Sequence, residues 1–339
     1  MRIITRTDAS IEPEDWRRIL SSSIRDLNEL LERLNLSPED LPAQQRAALD
    51  FPILVPEPFL QQMTIGDPND PLLLQVLPRA AETEIVAGYI ADPLAEKHAN
   101  VNRGIIHKYH GRVLLLAASG CAVNCRYCFR RHFAYEDNRI SREEWKKALD
   151  YVRQNNSITE VILSGGDPLM LRDSALFELM SEIENIPHVK RLRIHSRLPV
   201  VIPQRLTAEL IRRLGDSRLS SSIVMHINHP QELSELHRDR FKELRLAGVL
   251  ILNQAVLLRN INDKLRVLSD LSELLFEFNV VPYYLHLLDP VKGAHHFDVP
   301  EHEAQQLYKQ LLARLPGYLV PRLVRELSGE ASKSPICPP

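Results

Sequence analysis

The chain has 339 residues, 44% hydrophobic and 25% charged, enough apolar material for a large core and no more charge than an ordinary globular protein carries. Its Lys+Arg 42 nearly balance Asp+Glu 44, a formal charge of −2, so no whole-chain field favours nucleic acid. Four cysteines, three of them clustered and the fourth at Cys337, make no disulfide framework; the N-terminus lacks an apolar signal core and no run approaches the ~18 apolar residues of a membrane span, so a reducing cytoplasm is the expected compartment.

Residues 13–35 set Trp16, Leu20, Ile24, Leu27, Leu30, Leu31 and Leu34 at helical spacing, and a proline-rich stretch with short apolar pieces follows. Residues 1–95 therefore read as a helical, irregular N-terminal region. From about 111 the rhythm changes to strand-like runs at 112–119, 160–166, 191–197, 221–227, 250–258 and 280–288. Helical segments start near 141, 173, 207, 264 and 301, and another ends near 247. Six such strand–helix units predict a parallel α/β sheet with right-handed crossovers. They are too few for a closed eight-stranded barrel. Ligands of such sheets sit at the carboxyl ends of the strands, where the loop at 121–131, Gly165–Gly166, Ser196–Arg197, His226 and Asp289 fall.

The run CAVNCRYCFRR carries Cys121, Cys125 and Cys128 in Cys-x-x-x-Cys-x-x-Cys spacing. Three thiolates can take three corners of a four-iron four-sulfur (4Fe–4S) cluster and leave the fourth iron open to a small molecule. A zinc site completed by His107, His110 or His132 is the alternative, but structural zinc sites usually show two close ligand pairs and this chain shows one cluster. Ser164-Gly165-Gly166-Asp167 ends the second strand, where paired glycines allow close backbone approach; alone it is also a plain βα turn. His226 and His229 are weak evidence for a metal, and His295–His296 read as surface loop.

The cysteine motif at 121–131 resembles the radical S-adenosylmethionine (SAM) superfamily, which implies an open (β/α)6 partial barrel over 96–315, with a C-terminal segment at 316–339. It also implies SAM on the open iron and the Ser164–Asp167 segment against its amino group. CRYCFRRHFA, SGGDPL, RLPVVIPQRLT, HINHP, NQAVLLRNIND and a lysine near the C-terminus extend the resemblance, over about 100–335, to the lysine 2,3-aminomutase family. That resemblance implies that Lys333, in SGEASKSP, carries pyridoxal phosphate (PLP), although Glu330, Ala331 and Ser332 stand where relatives often have more glycine. It further implies that Arg112, with Lys108 and Tyr109 nearby, contacts the phosphate and that His226 and Gln254 lie near SAM. Arg130 would meet the substrate carboxylate, and Asp289, helped by Glu326, its side-chain ammonium. Taken without the family, Arg130 is one arginine of an Arg-Arg-His run, Asp289-Pro290 a turn and Lys333 a tail lysine.

The implied activity is conversion of L-α-lysine to β-lysine by a radical generated from SAM, with an electron donor such as flavodoxin. The short branch of the family, which supplies β-lysine for modification of elongation factor P, is the one resembled. Longer relatives carry a C-terminal zinc-binding extension used in assembly, so a dimer or monomer is expected in place of their tetramer. An aminomutase acting on glutamate, and a non-enzymatic electron-transfer or metal-stabilised interaction protein, are the rival readings.

Overall fold

The computed structural model describes residues 15–37, 51–96, 100–102, 104–132 and 142–338. Among the described residues, ten strands form one sheet in sequence order. β1 (Asn100–Asn102) and β2 (Ile105–Tyr109) are an antiparallel lead-in to β3 (Arg112–Ala118). Then β4 (Glu160–Gly165), β5 (Arg191–Ser196), β6 (Ser220–Met225), β7 (Leu250–Val256) and β8 (Val281–His286) follow, each parallel to its predecessor. These are the six strands the apolar runs predict. They are joined by helices because the intervening segments bury one stripe: Arg142–Gln154 buries Trp145, Ala148, Leu149 and Val152, the i, i+3, i+4, i+7 positions. Helix Ala208–Gly215 starts where it does because the Thr207 side chain accepts from Leu210 N at 3.1 Å.

One expectation changes. The C-terminal segment opens with a seventh parallel strand, β9 (Arg322–Arg325), paired to β8 and followed by the antiparallel β10 (Ser334–Pro335). Four residues with arginines at both ends show no strand alternation, so the edge of β8 makes this strand rather than its own sequence. The helical spacing at 13–35 falls on two helices, Asp15–Ser21 and Leu27–Arg33. Between them Ile24 N bonds Val55 O at 2.9 Å, and the Asp26 carboxylate caps the second helix by accepting from Asn28 N and Glu29 N at 2.9 and 3.0 Å. A hydrophobic period thus runs straight through a helix break.

The N-terminal helices belong to the main core: Trp16, Leu30 and Leu31 pack in the same buried cluster as Leu115 of β3, Leu163 of β4 and Ile223 of β6. The sheet also curls. Lys108 in β2 and Glu326, one residue past β9, pair at 3.1 Å although their strands lie near opposite edges, so the edges face each other across an interior cavity. Among the described residues no strand pairing closes that gap, and no helix is long and apolar enough to cross a membrane.

Candidate active site

β3 runs out at Ala118 into the loop bearing the cysteines, and Cys121, Cys125 and Cys128 all line a cavity of about 270 Å3. The loop turns tightly, with Cys128 N bonded to Cys125 O and Arg131 N to Cys128 O, both at 3.1 Å. Its arginines are gripped by two carboxylates that precede the sheet, Glu82 in the N-terminal region and Glu96 just past it. Glu82 accepts from Arg126 Nε and Nη2 at 2.8 and 2.6 Å and from Arg131 Nη2 at 2.6 Å, while Glu96 accepts from Arg130 Nε and Nη2 at 2.7 Å each. Buried pairs of this fork-to-carboxylate kind are retained at a desolvation cost and fix geometry strongly. Burial pushes the Cys121 thiol well above its ordinary value and Cys128 to about 11, so iron binding would release protons here.

β4 ends against this loop. A Cβ on Gly165, whose φ is +120°, would sit 2.5 Å from Ala118 O, and one on Gly166 would run into the Gly120 backbone. The glycines are therefore needed for the two loops to pass each other, a different reason from ligand approach. Gly165 O and Ser164 Oγ both accept from Arg130 Nη1 at 3.1 Å. Asp167 is a bracket for the next loop: its carboxylate takes Ser196 Oγ at 2.7 Å, Arg197 N and Leu198 N at 2.8 Å, and Leu169 N at 3.0 Å. Four protein donors occupy the oxygens that the sequence reading aims at a cofactor.

On the next strands His226 and Gln254 meet, His226 Nε2 lying 3.0 Å from Gln254 Nε2, and His195 packs edge-on to His226 with ring centroids 5.9 Å apart. Burial, with the positive charges of Arg197, Arg130 and Lys333, lowers His226 to about 3, so its ring is neutral. His195 and His286 also line the cavity, each with a buried Nε2 that has no hydrogen-bond partner among the described residues.

The far edge of the sheet supplies Lys333, held between β9 and β10. Its Nζ lies 2.7 Å from Glu326 Oε2 and 5.7 Å from the Tyr284 ring, while Lys108 Nζ takes the other Glu326 oxygen at 3.1 Å. Burial works to raise the Glu326 carboxyl, but the Lys333 and Lys108 ammoniums outweigh it and hold it down at about 2. Glu326 thus serves the two lysines, which differs from the substrate-helper role expected of it. Asp289, three residues past β8, lines the cavity with no side-chain hydrogen bond or ion pair among the described residues. Burial, reinforced by the charges of Glu326 and Glu96, raises it to about 7. Arg112 lines the same cavity with its guanidinium 4.7 Å from the Tyr109 ring.

The donor set suits the groups the sequence suggests. Among the described residues no group of three or more His, Cys, Asp or Glu side chains is placed to hold a single metal ion. His107 and His132 are engaged elsewhere, with Tyr151 Oη at 2.8 Å and Lys292 O at 3.0 Å. An amine beside its counter-carboxylate, the cations Arg112 and Lys108, and two orphaned imidazole nitrogens suit a phosphate-bearing aldehyde cofactor and a polar nucleoside.

Residues 116–263 match the model of the radical SAM superfamily. The chain is 47% identical over 334 residues to L-lysine 2,3-aminomutase of Haemophilus influenzae, covering 98% of this chain and 99% of that one. It is 49% identical over 324 residues to the Escherichia coli protein of the same name, covering 95% and 94%. This chain belongs to the lysine 2,3-aminomutase family. The Clostridium subterminale member is 35% identical over 96% of this chain and 78% of its own length.

For this member of the family, Cys121, Cys125, Cys128, Arg112, Arg130, Ser164, Gly165, Gly166, Asp167, His226, Gln254, Asp289, Glu326 and Lys333 all fall around one cavity. Sequence reasoning missed Glu96, His195 and His286, single residues in no motif; the position of His195 and His286 at the ends of β5 and β8 is the signal that could have found them. His295–His296 is no surface loop: both rings are half-buried, His295 Nε2 is 3.3 Å from Glu84, and the His296 ring centroid is 4.1 Å from that of Phe297.

Proposed function

We propose that this chain converts L-lysine to β-lysine, with a 4Fe–4S cluster on Cys121, Cys125 and Cys128, SAM beside it and PLP on Lys333. The observation that carries the reading is one cavity lined by the three cysteines and by a lysine 2.7 Å from a half-buried carboxylate, brought together from β3 and β10 by the curl of the sheet. When bound, the cluster and SAM supply a radical able to remove a hydrogen atom, and PLP supplies a carbonyl through which an amine can migrate. The protein's part is position and charge. Glu326 orients the Lys333 Nζ and balances Lys108, so the amine points at a fixed spot beside Tyr284. Arg130 offers a guanidinium to the substrate carboxylate, sharing it with or exchanging it for Glu96. Asp289 receives the ε-ammonium: an arriving cation draws its raised carboxyl down and ionises it, giving a pair inside a low-dielectric wall. This disfavours glutamate as substrate, whose side-chain carboxylate would face Asp289 and Glu326.

The same reading extends to a flavodoxin-like electron donor, a supply of β-lysine for elongation factor P, a cytoplasmic location and assembly as a monomer or dimer. Its support is the resemblance to the short branch and high identity along nearly the whole chain. An anaerobic assay with dithionite, SAM, PLP and lysine tests the activity. β-Lysine is the expected product; SAM cleavage with glutamate, and not lysine, as the amino acid consumed would overturn the substrate assignment.

A further inference from the structure

Arg197 opens the turn after β5, and nothing above gives its side chain a task. It is buried, and its Nη1 lies 2.7 Å from Cys125 Sγ and in contact with Tyr127 Oη. Nη2 donates to Gln75 Oε1 at 2.7 Å and pairs with Glu232 Oε2 at 3.3 Å, while the backbone N–H is tied to Asp167. Glu232 has no solvent exposure and is itself pinned by Asn228 N at 2.9 Å, His229 N at 3.0 Å and Gln75 Nε2 at 3.1 Å. The guanidinium therefore cannot swing away from the sulfur without breaking contacts to the N-terminal region and to the loop after β6.

A fixed N–H directed at a cysteine sulfur, carrying a positive charge in a low-dielectric surround, favours whichever state of an iron–sulfur cluster holds more negative charge. We propose that Arg197 is a positioning residue for Cys125 that also raises the reduction potential of the cluster, with Glu232 as the opposing charge that limits the rise. The inference rests on the cluster assigned above. Reduction adds one electron from dithionite, which is oxidised to sulfite, and leaves the iron, sulfide and thiolate count unchanged; Arg197 favours that added charge and Glu232 disfavours it.

A purely structural strut makes a different prediction, because removing either partner would then lower cluster loading and thermal stability together without moving the potential in opposite directions. The test is anaerobic reconstitution of the wild type, Arg197→Gln, Glu232→Gln and the double variant, with iron counted per chain and the reduced-cluster electron paramagnetic resonance signal titrated against potential. About four irons are expected in the wild type. Arg197→Gln should lower the reduced-to-oxidised ratio at a fixed potential about tenfold, a shift of about 59 mV to more negative values for one electron. Glu232→Gln should move it the other way, and the double variant should lie between the singles. If Arg197→Gln fails to hold a cluster, the sign of the Glu232→Gln shift decides. A full cluster with unchanged potential in Arg197→Gln, or a negative or absent shift in Glu232→Gln, overturns the inference and leaves the cluster assignment standing. A wild type that binds no cluster overturns both.

Discussion

The two ends of the candidate site are built in different ways. At the cysteine loop, Glu82 and Glu96 each hold arginine forks with bonds of 2.6–2.8 Å, and the Arg126 and Glu82 side chains are 0% and 1% exposed. At the Lys333 end, a two-residue strand and one carboxylate, Glu326, hold the lysine, with side chains 20% and 15% exposed. The first end is cross-linked by charges from distant parts of the chain and set before any ligand arrives. The second is tied lightly at a sheet edge, where a lysine that must exchange its bond partner can move at small cost. Rigidity is thus concentrated where thiolates must stand at fixed separations, and slack where a covalent attachment is made and released.

The largest effect that separates the ends is loss of a cofactor. Cys125→Ala should lose the iron, about four per chain in the parent, while borohydride-trapped PLP label persists. Lys333→Ala should do the reverse, removing the trapped label and leaving iron content unchanged. Loss of both cofactors in either variant would show that the ends fold as one unit and that the contrast is wrong.

Next in size is stability. Glu82→Gln leaves Arg126 and Arg131 buried without their carboxylate and should cost about 3 to 5 kcal/mol, read by chemical denaturation. Glu326→Gln, at the half-open end, should cost on the order of 1 kcal/mol. Equal losses would remove the distinction between a set loop and a lightly held lysine.

The smallest effect is pH-dependent and lies between the ends, at Asp289. Its carboxyl sits near 7 in the fold, so the folded chain holds that proton more tightly than the unfolded chain does. Stability from this group is full below about pH 4, and it is lost as pH rises through 7. Asp289→Asn should therefore stabilise the protein above pH 7 by about 1 to 3 kcal/mol, after allowing for partial solvent screening, and change nothing near pH 4. The same variant should weaken kcat/KM for lysine while sparing norleucine, whose chain ends without an ammonium. An equal loss on both amino acids would make Asp289 structural.

What the sequence revealed follows from where each signal resides. The six strands were legible because each carries short apolar pieces at strand spacing, as in the Val-Ile-Leu of EVILSG and the Ile-Val-Met of SSSIVM. The cysteines were legible because a cluster needs its ligands in one short loop. β9 was not, since RLVR owes its conformation to the neighbouring β8. The carboxylates that set the loop were also invisible: Glu96, Glu82 and Glu232 lie 34, 44 and 35 residues from Arg130, Arg126 and Arg197, and each is an ordinary glutamate until the fold supplies its partner. Asp167 and Glu326 were seen as site residues, but their bonding partners, four donors and two lysines, could be known from the packing alone.

The central claim is that the cysteines and Lys333 serve one reaction in one cavity. Lysine deuterated at C3, incubated anaerobically with SAM, PLP and dithionite, tests it through mass spectrometry of the SAM-derived nucleoside. The account predicts deuterium at the 5′ carbon with the wild type and none with Lys333→Ala, whose cluster remains loaded. Nucleoside released without deuterium by the wild type, or labelled to the same extent by Lys333→Ala, would contradict it.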